Sequence, residues 1–125
     1  MSQFKIVSGS WDALQQAIKP IRDAVFIQEQ QIAPEDEWDV EDTVSLQFAV
    51  YDQHQPIATA RLLQNNSIGR VAVLRSHRGL GIGKLLMHAI IQQAKSEQRE
   101  FLKLSSQVHA IQFYAGLGFQ VQGDE

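Results

Sequence analysis

Cysteine is absent from all 125 residues. The chain therefore has no disulfide framework, no thiolate zinc site and no cysteine nucleophile, and redox logic leaves its compartment open. Positive charge is scarce as well. Eleven Lys and Arg against 14 Asp and Glu leave a formal net charge of −3, which gives no general attraction to nucleic acid or an anionic membrane. No apolar run is long enough to span a bilayer, and Met1 to Ser10 lacks the basic-then-apolar order of a signal peptide, so the cytoplasm is the expected location. His54, His77, His88 and His109 have no carboxylate or histidine partners at ligand spacing, so no metal site is expected. Repeats, low-complexity segments and linkers are missing too. Residues 1–125 are expected to form one domain, with the apolar content of a globular protein.

What is present is ordered by hydrophobic period. Phe4 to Val7 reads as a strand, and Ser10 as the N-cap of a helix carrying Trp11, Leu14, Ala17 and Ile18 on one side. Pro20 is expected to break or bend it. A second helix is expected from Ile21 to Gln30, with Ile21, Val25 and Phe26 inward and Arg22, Asp23 and Glu29 outward. An acid-rich loop, 31–43, holds Trp38. Strands are expected at Val44 to Tyr51, Ile57 to Leu63 and Ile68 to Leu74, forming an antiparallel meander. A long amphipathic helix follows from Gly81 to Gln98, then a strand at Phe101 to Ser105, a short helix at Val108 to Ala115 and a last strand from Phe119 to Gln122. This order implies an α/β fold of mixed type, with a mostly antiparallel sheet and helices on both faces.

The most informative stretch joins the third meander strand to the long helix: Arg75-Ser76-His77-Arg78-Gly79-Leu80-Gly81-Ile82-Gly83-Lys84. A glycine bend lets the backbone come close to a ligand, and the first turn of a helix presents N–H groups that attract anions. A kinase-type P-loop is excluded, because Arg78 stands where its first glycine belongs and Leu85 where its hydroxyl belongs. A dinucleotide fingerprint is excluded, because Lys84 or Leu86 would have to be its third glycine. Two readings stay open: the Arg-x-x-Gly-x-Gly pyrophosphate loop of acyl-CoA-dependent N-acyltransferases, and a plain glycine-rich connector with basic residues in solvent.

Two further segments bear on that choice. Residues 107–119, from Gln107 through Tyr114 to Gly118-Phe119, resemble the N-x-x-A-x-x-x-Y-x-x-x-G-F helix of one superfamily, and Val25-Phe26-Ile27-Gln28-Glu29-Gln30 resembles the V-F-x-x-E-Q signature of a bacterial subgroup of it. The chain thus resembles the GNAT (Gcn5-related) N-acetyltransferases, of the small ElaA-like or YjcF-like kind. The resemblance implies acetyl-CoA as acyl donor and a small-molecule or peptide amine as acceptor, joined by direct attack in a ternary complex. It implies that Val71, Ala72 and Val73 offer backbone groups to the pantetheine arm, and that Arg78, Gly79, Leu80, Gly81, Ile82, Gly83 and Lys84 hold the pyrophosphate. Tyr114 falls on the family's general acid, which returns a proton to the departing thiolate; a phenol's pKa lies above a thiol's, so that transfer is downhill. Gln107 stands where many relatives have a CoA-holding Asn, and His109 follows two residues on.

The general base is less evident. Residues 67–74 contain no acid, and Leu102 occupies the place of a glutamate used by some relatives. Glu29 is the leading carboxylate, Glu41 and Asp42 come next, and proton loss through water is an equal alternative. The acids of 35–42 read either as a solvated cluster or as the entrance for a cationic amine. The resemblance also implies one more strand after the Gly-Phe strand. That strand is expected to be missing, supplied by a neighbouring chain, or outside this sequence; if missing, it leaves an edge open, and strand exchange into a homodimer is one way to close it. A non-catalytic acyl-CoA-binding or sensor module is the alternative to an enzyme.

Overall fold

A computed structural model describes residues 4–38, 40–99, 102–104 and 121–122. Strand β1 (Phe4–Gly9) leads to Ser10, whose Oγ accepts the Ala13 N–H at 3.2 Å and opens helix α1 (Trp11–Arg22). Pro20 does not break this helix. α1 runs through it and widens into a π-helical segment, Asp23–Glu29, closed by Gln30 N–H donating to the Val25 carbonyl at 3.1 Å. A proline inside a helix lacks one backbone donor and crowds the preceding turn, and here the winding changes three residues beyond it. The two expected helices are thus one continuous helical arm.

The expected acidic loop contains two short helices, α2 (Pro34–Glu37) and α3 (Glu41–Val44). Val44 accordingly belongs to a helix, and the meander starts two residues later: β2 (Leu46–Asp52), β3 (Gln55–Leu62) and β4 (Ser67–Val73). Pro56 lies inside β3, opposite Tyr51, where the β2–β3 register shifts; a bulge tolerates a residue without an N–H. Helix α4 (Ile82–Ser96) follows, then β5 (Leu102–Leu104) and β6 (Val121–Gln122). The six strands form one sheet in sequence order. β1 to β4 are antiparallel; β4–β5 and β5–β6 are parallel, so the sheet is mixed as expected. The expected short helix at Val108 to Ala115 lies outside the described residues.

Helices cover both faces. α4 places Ile82, Leu86, Met87, Ile90, Ile91 and Ala94 on Phe48, Val50, Ala58, Ala60, Leu62 and Ile68. α1 and the π-helical segment cover the other face, with Trp11, Leu14 and Ile18 on Ala49, and Ile21 and Val25 on Ala72. Each of these fully buried Ile or Leu side chains contributes about 1.5–3 kcal/mol by leaving water.

β4 does not keep a plain alternation. Ile68 faces α4 and Ala72 faces α1, although residues an even number apart share a face in a regular strand. Pairing supplies the reason: Arg61 opposes Gly69 and Thr59 opposes Ala72, so β4 carries one residue more than β3. Arg70, at φ +52°, is the extra residue of this bulge. Bulges re-aim the chain and are common beside active sites. On its other edge β4 pairs with β5 at Ser67↔Lys103 and Ile68↔Leu104, below the bulge.

Candidate functional site

Beyond the bulge, β4 runs toward the start of α4. Leu74 N–H donates to the Ile57 carbonyl at 2.9 Å, and a single 3-10 turn follows over Arg75–His77. The chain then reverses through Gly79 (φ +81°) and Gly81 (φ +82°), left-handed conformations that side chains other than glycine adopt only under strain. Gly81 is the N-cap of α4 and supplies no side-chain acceptor. The first intrahelical bond runs from Leu85 N–H to the Gly81 carbonyl, so the N–H groups of Ile82, Gly83 and Lys84 point out of the helix end. A Cβ at Gly79, Gly81 or Gly83 would meet nothing within 4 Å. A glycine bend with open space beside it and oriented donors suits an anion of phosphate type.

Two side chains, His77 and Arg78, do most to brace this loop. His77 Nε2 lies 2.8 Å from Asp52 Oδ2 and its Nδ1 2.7 Å from Ser76 Oγ, tying the 3-10 turn to the β2–β3 hairpin. Phe4 packs edge-on against the His77 ring at 6.3 Å. Arg78 donates from Nε to the Val73 carbonyl at 2.8 Å and from Nη2 to Glu29 Oε1 at 2.8 Å. Arg75 Nε lies 3.6 Å from the other oxygen, Oε2. Glu29 thus stands at the loop, and its carboxyl is held below the ordinary range, first by the Arg78 hydrogen bond and then by the charges of Arg78 and Arg75. A carboxylate so held is a weaker base than a free one.

Of the expected donor-binding strand residues, Val71 is exposed, Ala72 buried and Val73 half-buried. Leu80 and Lys84 are exposed on the loop and first turn. Tyr114, Gln107 and His109 lie outside the described residues.

The other candidate carboxylates separate sharply. Glu41 is exposed. Asp42, expected in a solvated or substrate-facing cluster, is instead 2% exposed. It accepts from Arg22 Nη1 at 2.7 Å and Nη2 at 3.3 Å and from Arg61 Nη1 at 2.8 Å. Arg22, expected on the outer face, is fully buried, with Trp38 at 4.8 Å and Trp11 at 5.6 Å from its guanidinium carbon. Helical period assigned Arg22 outward because it does not weigh a buried acid from another segment. An open cleft of about 630 Å³ adjoins this cluster, lined by Trp11, Lys19, Pro20, Asp23, Trp38 and Asp42, with no lining residue from the glycine loop. Among the described residues no group of three or more His, Asp or Glu is placed to hold a metal ion, and no helix is long and apolar enough to cross a membrane.

Comparison with known proteins bears on this loop. Residues 12–125 match the family described as acetyltransferase (GNAT) domain. The chain is 31% identical over 108 residues to the uncharacterized N-acetyltransferase YjcF of Bacillus subtilis, covering 84% of this chain and 77% of that one. The crystal structure of an acyl-CoA N-acyltransferase from Pseudomonas aeruginosa superposes with a TM-score of 0.76 at 27% identity, over 92% of this chain and 85% of that one. Escherichia coli ElaA superposes with a TM-score of 0.77 at 22% identity, over 91% and 85% respectively, which shows a shared fold.

Proposed function

Because the chain belongs to the acetyltransferase (GNAT) domain family, we propose that it transfers the acetyl group of acetyl-CoA to a primary amine, on a small molecule or a peptide, by direct attack in a ternary complex. The observation that carries this reading is the glycine bend at the start of α4, with left-handed Gly79 and Gly81, no side-chain cap and open space before the helix N–H groups. In it the backbone of Gly79 to Lys84 and the Arg78 guanidinium hold the diphosphate, and Val71, Ala72 and Val73 offer backbone groups to the pantetheine arm. Gln107 adds a polar contact. Bound acetyl-CoA supplies the thioester. The amine nitrogen bonds to its carbonyl carbon, the carbon–sulfur bond breaks, and the Tyr114 hydroxyl gives its proton to the sulfur. The amine's own proton leaves to Glu29 or through water. For Glu29 to take it, Arg78 must first release the carboxylate.

Two experiments test this. Calorimetry with CoA and ATP side by side should show CoA binding in preference; no heat with millimolar CoA or acetyl-CoA removes the reading. A panel of amines, scored by free CoA thiol, should reveal turnover with at least one class. Tyr114→Phe should lower turnover by about 10²-fold or more while CoA affinity stays within twofold. The second reading, a non-catalytic acyl-CoA module, is favoured by one observation, the engagement of both Glu29 oxygens by arginines. It predicts no turnover with any amine and the same CoA affinity. Homodimerisation is a separate part of the proposal, checked by light scattering.

A further inference from the structure

We propose that Glu29 is a built-in counter-anion of the glycine loop, which a diphosphate displaces on binding. This rests on the assignment of the loop to the donor diphosphate. Three observations carry it. Both oxygens of Glu29 are engaged, Oε1 by Arg78 at 2.8 Å and Oε2 by Arg75 at 3.6 Å. The Arg78 guanidinium is oriented by its Nε bond to the Val73 carbonyl, which leaves its Nη2 edge to Glu29. Glu29 closes the π-helical segment, whose Val25 packs on Ala72 of β4, so one strand places both the loop and the carboxylate that guards it.

An anion arriving at the loop meets an arginine whose Nη2 edge already holds an internal carboxylate. A ligand carrying several negative charges gains both the arginine and the α4 N–H groups, and it displaces the single charge of Glu29. The freed carboxylate then loses the contacts that hold its pKa down, and its basicity rises toward that of an ordinary glutamate only once the donor is in place. Donor binding and base release become one event.

The test is calorimetry on the whole chain with CoA, inorganic pyrophosphate and pantetheine. Glu29→Gln keeps the side chain's size and removes its charge. It should tighten CoA and pyrophosphate by about two- to fivefold, the range of one exposed ion pair, and leave pantetheine, which lacks the diphosphate, unchanged. In an Arg78→Gln background the same substitution should give no gain, because the coupling runs through Arg78. Equal or weaker CoA binding by Glu29→Gln, or a gain that survives Arg78→Gln, overturns the displacement while the loop assignment stands. If the wild-type chain binds neither CoA nor pyrophosphate, the loop assignment itself fails and the displacement with it. Should Glu29→Gln not fold, Glu29→Asp, too short to span both arginines, replaces it with the same expected direction.

Discussion

Two arginine–carboxylate clusters hang from the same helical arm and differ chiefly in water. Arg22, at the end of α1, shares Asp42 with Arg61, and the three side chains are 1%, 3% and 7% exposed for Arg22, Asp42 and Arg61. Glu29, at the end of the π-helical segment, shares its carboxylate between Arg78 and Arg75, and these side chains are 25%, 42% and 78% exposed. In the first cluster an open cleft lies alongside, but the charged side chains themselves are almost fully covered, so the contacts are costly to exchange and fix how α1 and α3 meet the sheet. In the second, water or a ligand anion can replace either partner at little net cost, so the contacts can exchange. Similar chemistry serves as a rivet in one place and as a removable cover in the other, and burial decides which.

The largest expected effect falls on the rivet. Asp42→Ala takes the shared carboxylate from two buried guanidinium groups and should lower unfolding free energy by about 3–5 kcal/mol in urea titration. A loss below about 1 kcal/mol would mean that water reaches the cluster and that the contrast is false. Next comes the loop between the two regimes. Gly81→Ala puts a Cβ on a residue at φ +82° and should cost about 1–2 kcal/mol and weaken CoA binding, while leaving both ion clusters in place. An unchanged melting temperature would show that the bend relaxes freely. The smallest effect belongs to the cover. The folded state depresses the Glu29 pKa below 4.5, so whatever the pair contributes is complete above about pH 4.5 and is lost as pH falls through the folded value. Wild type and Glu29→Gln should therefore keep a constant small difference in melting temperature down to about pH 4.5 and converge only below it. Convergence at higher pH would place the pair's effect elsewhere.

Much of the fold was legible because apolar residues keep their period. The meander, the long helix and the mixed sheet all follow from positions such as Phe48, Val50, Ile82 and Leu86, which face where their spacing demands. Local chemistry also carried Ser10 as a cap. What stayed hidden depends on partners distant in sequence. Nothing in the identity of Arg22 announces that it turns inward, since the acid that draws it in is Asp42 from another helix. Pro20 announces a break that the chain avoids by rewinding. Arg70 gives no sign of its positive φ, because glycine or asparagine is the usual marker there. At the candidate site the glycine bend was plain from spacing alone. Glu29 is legible as a carboxylate on the helical arm, but the arginines that hold it lie 46 and 49 residues further along the chain, at Arg75 and Arg78, beyond any local pattern.

The bulge at Arg70 has a consequence for how this strand can evolve or be edited. Deleting that one residue would restore strict pleating and keep everything downstream in step with β3, because Gly69 and Ala72 would then stand as far apart as Arg61 and Thr59. Ala72 would still face α1 and Val73 α4, and the carbonyl that steadies Arg78 would keep its side of the sheet. A change of a single codon would thus straighten the strand beneath the mouth of the loop without reversing any residue beyond it.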